Sequence, residues 1–329
     1  MQLDGRLGLD FQTDGFVVVR DVLSRDEVRD LRAAIDREAA SAKALGHVFA
    51  VPPDQCSPAG DILGREGIGH LIFDPRILRI ARALIGREEL VYFGDSGIMI
   101  GGTARGFHKD NSCRDDATHS DWRSPYTMVR FGIYLEDHDQ LSGGLKVRRG
   151  SHLHADDTSG EIVDVPTRAG DVVVWSLRTT HSGHAVRVRG LPFLHLQPRF
   201  EARTPEVLRA PEPCERKAIF MTFGCDDAHL EVYLEKHRNL ETYPENYLYK
   251  SWLYSAIGEP YESAARAAGV RLVRATADYG SKFRSTEPVA SGKIPVGRGK
   301  PDVYPAKGGV EVLIRSVGKV ARAAGLARS

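Results

Sequence analysis

Cysteine is scarce in this chain. Four occur in 329 residues, at positions 56, 113, 214 and 225, and no two are spaced as CxxC. That excludes a zinc knuckle and a thioredoxin-type motif. It also excludes a disulfide framework and fits a reducing compartment. No run approaches 18 consecutive apolar residues, so no transmembrane helix is expected. Residues 1–10 carry charges and glycines where a signal peptide needs an apolar stretch. Neither sign of charge prevails: Lys and Arg total 45, Asp and Glu 44, a formal +1. Such a balance offers no footprint for nucleic acid or a membrane surface. No Gly-rich phosphate loop joins a strand to a helix, which argues against a nucleotide-binding α/β fold. No internal repeat of 20–50 residues occurs, which removes solenoids and propellers. The remaining expectation is a cytoplasmic protein acting on a small molecule, as a monomer or homodimer.

What is present is globular. Hydrophobic residues make up 42% and charged residues 27%, enough for a large core without staples. Residues 16–19 (Phe-Val-Val-Val) read as a strand entered through Asp14-Gly15. Ser24 and Glu27 have capping-box spacing, with Leu23 and Val28 placed as a hydrophobic staple. Val28, Leu31 and Ile35 then continue at helical spacing. Residues 46–69 read as loop, and 75–86 as a helix. Segments 90–100, 126–135, 144–149, 162–165, 171–177 and 185–196 are short, rich in β-branched and aromatic residues, and bounded by turn formers. Many such strands in a row predict a β-sandwich or barrel. Residues 226–239 read as a helix, 285–309 as a loop, and 310–325 as a basic amphipathic helix. The expected division is a core over 1–200 and a C-terminal extension over 201–329, packed on it.

Chemistry concentrates in three places. In Phe107-His108-Lys109-Asp110, strand alternation puts His108 and Asp110 on one face and Lys109 on the other. An imidazole and a carboxylate so placed can grip one metal ion. The second place is Gly170-Asp171, an apolar strand, and then His181 at its end, with His184 as the rival ligand. Two histidines and one carboxylate form the facial triad of non-haem Fe(II) oxygenases, which leaves sites open for substrate and oxygen. The third is Arg187-Val188-Arg189, downstream of His181. An Fe(II) enzyme that activates O2 can draw electrons from a keto acid, and arginine is the bidentate partner for its distal carboxylate. Either Arg187 or Arg189 meets that need, with a lean to Arg187.

In this order, several segments carry a resemblance: His108-x-Asp110; residues 130–138; residues 142–152 with their Gly-Ser-His ending; and Gly170-Asp171 followed by His181. Together with the opening Asp14-Gly-Phe-Val-Val-Val, they resemble the phytanoyl-CoA dioxygenase family over about residues 10–200. The resemblance implies a mainly β fold with flanking helices, a double-stranded β-helix (jelly-roll, cupin-like). It also implies Fe(II) as metal, with 2-oxoglutarate and O2 as co-substrates. By position, His108, Asp110 and His181 match the metal ligands, and Arg187 or Arg189 the 2-oxoglutarate anchor. The arginine comes earlier than the family pattern has it. Asp110 disfavours halogenation, since halogenating members carry a small residue there. The polar loop 111–123 predicts a small polar substrate, with Lys109 and Asn111 flanking the ligands. The outcome expected is hydroxylation or a related C–H oxidation, with succinate and CO2 released. The competing expectation is a non-redox, metal-dependent cupin-like isomerase or a sugar-binding jelly-roll module.

Overall fold

Short strands whose side chains alternate between two apolar environments build this fold. The computed structural model describes residues 6–273, apart from 45–47, 52–54, 59–60, 102–105, 192, 202, 213–214 and 239–258. The chain opens with α1 (Arg6–Asp14), β1 (Phe16–Val19) and α2 (Arg25–Ala44). Two short paired strands, β2 (Val48–Val51) and β3 (Gln55–Pro58), occupy a region expected to be loop. Then come α3 (Pro75–Ile85), β4 (Leu90–Ile100), a single turn α4 (Ser120–Arg123), β5 (Val129–Tyr134) and β6 (Gly144–Arg149). They are followed by β7 (Glu161–Asp164), β8 (Val172–Ser176), β9 (His181–Ala185), α5 (Pro198–Glu201), β10 (Lys217–Gly224), α6 (Ala228–Arg238), α7 (Glu259–Ala268) and β11 (Val270–Leu272).

Among the described residues the larger sheet runs β1-β8-β5-β10-β4-β11, and a smaller one runs β7-β6-β9. Alternation splits the larger sheet cleanly. Val129, Phe131, Ile133, Val172, Val174, Ile219, Met221 and Phe223 face α2 and α3, forming the main core with Leu31, Ile35, Ile77 and Leu78. The intervening residues Tyr134, Val173, Trp175 and Ala218 face inward, against Leu145 and Val147 of the smaller sheet. Two sheets so packed, with the chain crossing between them after β5, β7, β8 and β9, make a double-stranded β-helix.

The "Gly-Asp" and "Gly-Ser-His" motifs turn out to be braces. Gly170 has φ +100°, and a Cβ there would lie 2.4 Å from the Leu23 carbonyl oxygen, so only glycine fits. Asp171 accepts hydrogen bonds from Arg20, from the Asp21 amide and from the Arg168 amide, tying β1 to the turn before β8. Ser151 Oγ donates to the Arg148 carbonyl and accepts from the Thr180 amide, while His152 Nε2 meets the Gln12 carbonyl.

Two expectations need correction. Residues 185–196 do not form a strand: β9 ends at Ala185, and the chain leaves the barrel through α5. The boundary near residue 200 does not separate core from extension either, because β10 is hydrogen-bonded between β5 and β4. Polar and proline-rich residues between 186 and 216 hide this, since they interrupt the barrel's strand rhythm. The basic helix expected over 310–325 and the loop over 285–309 lie outside the described residues.

Candidate metal centre

His108 and His181 sit opposite each other and exchange both backbone hydrogen bonds: His108 N to His181 O at 3.0 Å, and His181 N to His108 O at 2.9 Å. Directly opposed residues present their side chains on one face, and the two imidazole centroids are 4.4 Å apart. Two residues on, Asp110 N donates to Leu177 O at 2.9 Å, which keeps the segment aligned with the end of β8. Asp110 therefore returns to the same side. One ligand atom from each of His108, Asp110 and His181 lies within 4.8 Å of the others.

The backbone sets both imidazoles. His108 Nδ1 is 3.0 Å from the Gly106 carbonyl, and His181 Nδ1 is 3.0 Å from the Thr179 carbonyl. A carbonyl only accepts, so Nδ1 carries the proton and Nε2 presents a lone pair. The Nε2 atoms lie 3.8 and 3.3 Å from the Asp110 carboxylate. Outer hydrogen bonds that fix the tautomer are a regular feature of metal-binding histidines. Sequence reasoning named no acceptors for them, because each is a main-chain oxygen.

Electrostatics prepare the same state. Burial and the neighbouring His181 push His108 down to about 4, keeping it neutral. Burial alone would raise Asp110, but the Arg130 guanidinium beside it holds it well below the usual carboxylate range. Two imidazoles that present Nε2 and one carboxylate are the donor set of a facial triad, so these residues fit Fe(II).

The other expected residues are placed as follows. His184 has φ +59° and pairs with Glu212 at 3.1 Å, and it is not among the converging ligand atoms. Lys109 points to the opposite face, fully buried, and donates to the Ser151 and Arg178 carbonyls at 2.8 and 2.7 Å. Asn111 is likewise buried, bonded to Asp121 and to the Cys113 carbonyl. Backbone carbonyls engage the Lys109 ammonium, and Asp121 and a carbonyl engage the Asn111 amide nitrogen. Arg187 is buried, with Nη2 3.3 Å from the Asp164 carbonyl, whereas Arg189 is exposed.

Arg216, just before β10, was missed. It is 4% exposed and shares the facing of Ala218, two residues on, the side turned toward the barrel interior. Its guanidinium lies 5.5 Å from the Tyr134 ring centroid, with Nε donating to Gly143 O at 2.6 Å and Nη1 to Gly101 O at 3.0 Å. Near it, Tyr134 Oη is buried with no hydrogen-bond partner among the described residues, as is Trp175 Nε1. The Trp175 ring is 5.4 Å from that of His181. A buried cation and unmet donors inside the barrel fit an anionic, oxygen-rich small molecule. The sequence signal was faint: an arginine two residues ahead of an inward-facing strand position, 35 residues after His181.

The profile of the family described as phytanoyl-CoA dioxygenase matches residues 11–190. No curated protein matches the chain. Among solved structures, the non-heme α-ketoglutarate-dependent epimerase SnoN from nogalamycin biosynthesis is 22% identical. That match covers 66% of this chain and 80% of that one, with a TM-score of 0.47. EctD from S. alaskensis, solved with 2-oxoglutarate and 5-hydroxyectoine, is 18% identical over 68% of this chain and 76% of that one, with a TM-score of 0.48. AviO1 from Streptomyces viridochromogenes is 19% identical over 69% and 98%, with a TM-score of 0.46.

Proposed function

This chain belongs to the phytanoyl-CoA dioxygenase family, and from that premise we propose that it oxidises a C–H bond of a small polar molecule at a metal held by His108, Asp110 and His181. The reaction type is that of an oxygenase using Fe(II), 2-oxoglutarate and O2. Bound together, these supply oxidising power by coupling 2-oxoglutarate decarboxylation to substrate oxidation, with succinate and CO2 as co-products. The protein contributes binding, orientation and exclusion of water. The observation that carries the reading is the convergence of two Nε2 atoms, their tautomers set by backbone carbonyls, on one carboxylate.

His108 and His181 would each give one Nε2, and Asp110 one oxygen. Arg216 would pair with the distal carboxylate of 2-oxoglutarate inside the barrel, and Tyr134 Oη and Trp175 Nε1 have hydrogens to donate there. Asp110 fills the position that a halogenating enzyme leaves open, which favours hydroxylation or a related oxidation. A groove of about 520 Å³ opens beside the loop continuing from Asp110, and its walls include Arg114, Lys236, Asp115, Asp156 and Asp157. Charges of both signs at that mouth favour a polar or zwitterionic substrate over an acyl chain.

The test begins with apo-protein reconstituted anaerobically with Fe(II). Oxygen-dependent release of CO2 from 2-oxoglutarate is expected, and a non-redox isomerase or sugar-binding module would give none. His181→Ala should abolish both iron binding and CO2 release with far-UV CD unchanged, while His184→Ala should keep both. The reverse pattern would transfer the ligand role to His184.

A further inference from the structure

α6 lies beyond the stretch that the family profile matches, yet it reaches the segment that carries Asp110. Its residues His229, Tyr233 and Lys236 are spaced i, i+4 and i+7, which aligns them along one helix face. Tyr233 Oη donates to Asp95 Oδ2 at 2.6 Å. The same Asp95 oxygen accepts from Arg130 Nη2, and Arg130 Nη1 donates to Asp110 Oδ2 at 2.8 Å. Arg130 Nε is held by Thr222 Oγ1 at 3.1 Å, so every edge of the guanidinium is engaged. His229 Nδ1 lies 3.4 Å from Asp121 Oδ1, and Asp121 Oδ2 accepts from Asn111 Nδ2 at 2.9 Å and from the Cys113 amide at 3.1 Å. Lys236 Nζ donates to the Ser112 carbonyl. Three successive positions, 110, 111 and 112, are thereby tied to one helix face. Tyr233, Asp121 and Asn111 are at most 2% exposed, so water does not reach these three side chains.

We infer that α6 clamps the metal-binding segment, with Tyr233 acting through Asp95 and Arg130 as a positioning residue for the Asp110 carboxylate. The inference rests on the reading that Asp110 is a metal ligand. An aspartate carboxylate turns about its last bond, and Arg130 stops that rotation by holding Oδ2. Arg130 is itself shared between two carboxylates. Tyr233 supplies part of what Asp95 requires, so Asp95 does not draw the guanidinium away from Asp110. Without the hydroxyl, Asp95 loses one of its donors in a buried site and keeps Arg130 and Thr222 on the same oxygen, so the pull on the Arg130 guanidinium rises.

Tyr233→Phe removes only the hydroxyl and keeps the ring that packs on Phe93 at 5.5 Å. The measurement is anaerobic titration of the full-length apo-protein with Co(II), following the visible d–d bands, which report ligand geometry. Outer partners of metal ligands are worth about 10–100-fold in affinity. One bond further out, we expect about a 3–10-fold rise in the Co(II) dissociation constant with shifted bands and unchanged far-UV CD. Arg130→Lys, which cannot bridge both carboxylates, should weaken binding at least as much. Tyr233→Phe added to it should then cost nothing more, because coupled residues are not additive. Parent-like affinity and bands in Tyr233→Phe, or fully additive losses in the double variant, overturn the clamp. Asp110→Asn separates the two readings. If it loses Co(II) while Tyr233→Phe binds as the parent, only the clamp falls. If it binds as the parent does, the ligand assignment falls and takes the clamp with it.

Discussion

A buried arginine inside an apolar barrel is costly unless something anionic or polar meets it. Arg187 and Arg216 are both buried, and their surroundings differ. The Arg187 guanidinium is directed at the Asp164 main chain, close to the buried Lys146 cluster on the smaller sheet. That of Arg216 lies against Tyr134 on the inward face of the larger sheet, beside a phenol whose hydrogen bond is unmet among the described residues. We therefore expect Arg216→Ala to weaken 2-oxoglutarate binding by about 2–5 kcal/mol, the usual effect of stranding one half of a sheltered charge pair. Arg187→Ala and Arg189→Ala should retain affinity. Lys at position 216 should restore little, for want of the planar fork. Anaerobic titration of the Fe(II) protein, following the visible band of the 2-oxoglutarate chelate, makes the comparison. A sharp loss in Arg187→Ala with Arg216→Ala unaffected would return the anchor to Arg187.

Among the elements, the start of α2 shows how local sequence and tertiary contact combine. Ser24 N donates to Glu27 Oε2 at 2.7 Å and Glu27 N to Ser24 Oγ at 3.2 Å, the reciprocal capping box that the spacing predicts. Arg76, at the start of α3, bonds the same Glu27 carboxylate and also Asp74, which caps α3. The hydrogen bond from Arg76, then that from the Ser24 amide, holds Glu27 down to about 2. A folded-state value below the unfolded one stabilises at neutral pH, and the contribution is lost as pH falls from about 4.5 toward 2. Glu27→Gln should thus flatten the acid side of the melting-temperature profile in that window. At pH 7 it should cost only about 0.5–1 kcal/mol, because the pair is partly exposed. An unchanged acid limb would mean that the ion pair does not outlast solvent screening. The excursion between β9 and β10 is anchored differently. Lys146 of β6, fully buried, lies 2.6 Å from Asp164 and 2.8 Å from Glu201, so an ion triad fastens α5 to the smaller sheet.

At the scale of the whole molecule, the chain's order in sequence and its order in space diverge at β10. That strand pairs with β5 along one edge and β4 along the other, and carries Ala218, Ile219, Met221 and Phe223 into two apolar clusters. A chain ending at residue 200 would leave both flanking strands with open edges and an unfilled core. It should be aggregation-prone or molten, without near-UV CD and with strong dye binding. A folded, cooperative protein of that length would show that β10 is dispensable. No helix among the described residues is long and apolar enough to cross a membrane.

What the sequence alone determined is whatever depends on neighbours along the chain. Short runs of β-branched and aromatic residues bounded by turn formers placed β4, β5, β6 and β8, capping chemistry placed α2, and a two-residue spacing put His108 and Asp110 on one face with Lys109 on the other. Each is a consequence of backbone geometry within a few residues. Resemblance of ordered motifs carried the family. Tertiary structure alone decided what depends on contacts far apart in the chain. Gly106 and Thr179 present carbonyls to the two imidazoles. Arg216 comes to the inward face only because β10 returns to the larger sheet after an excursion of about thirty residues. Tyr233 meets Asp95 across 138 positions. No local period records such encounters, since they are selected by which strand closes the barrel and which helix then covers its end.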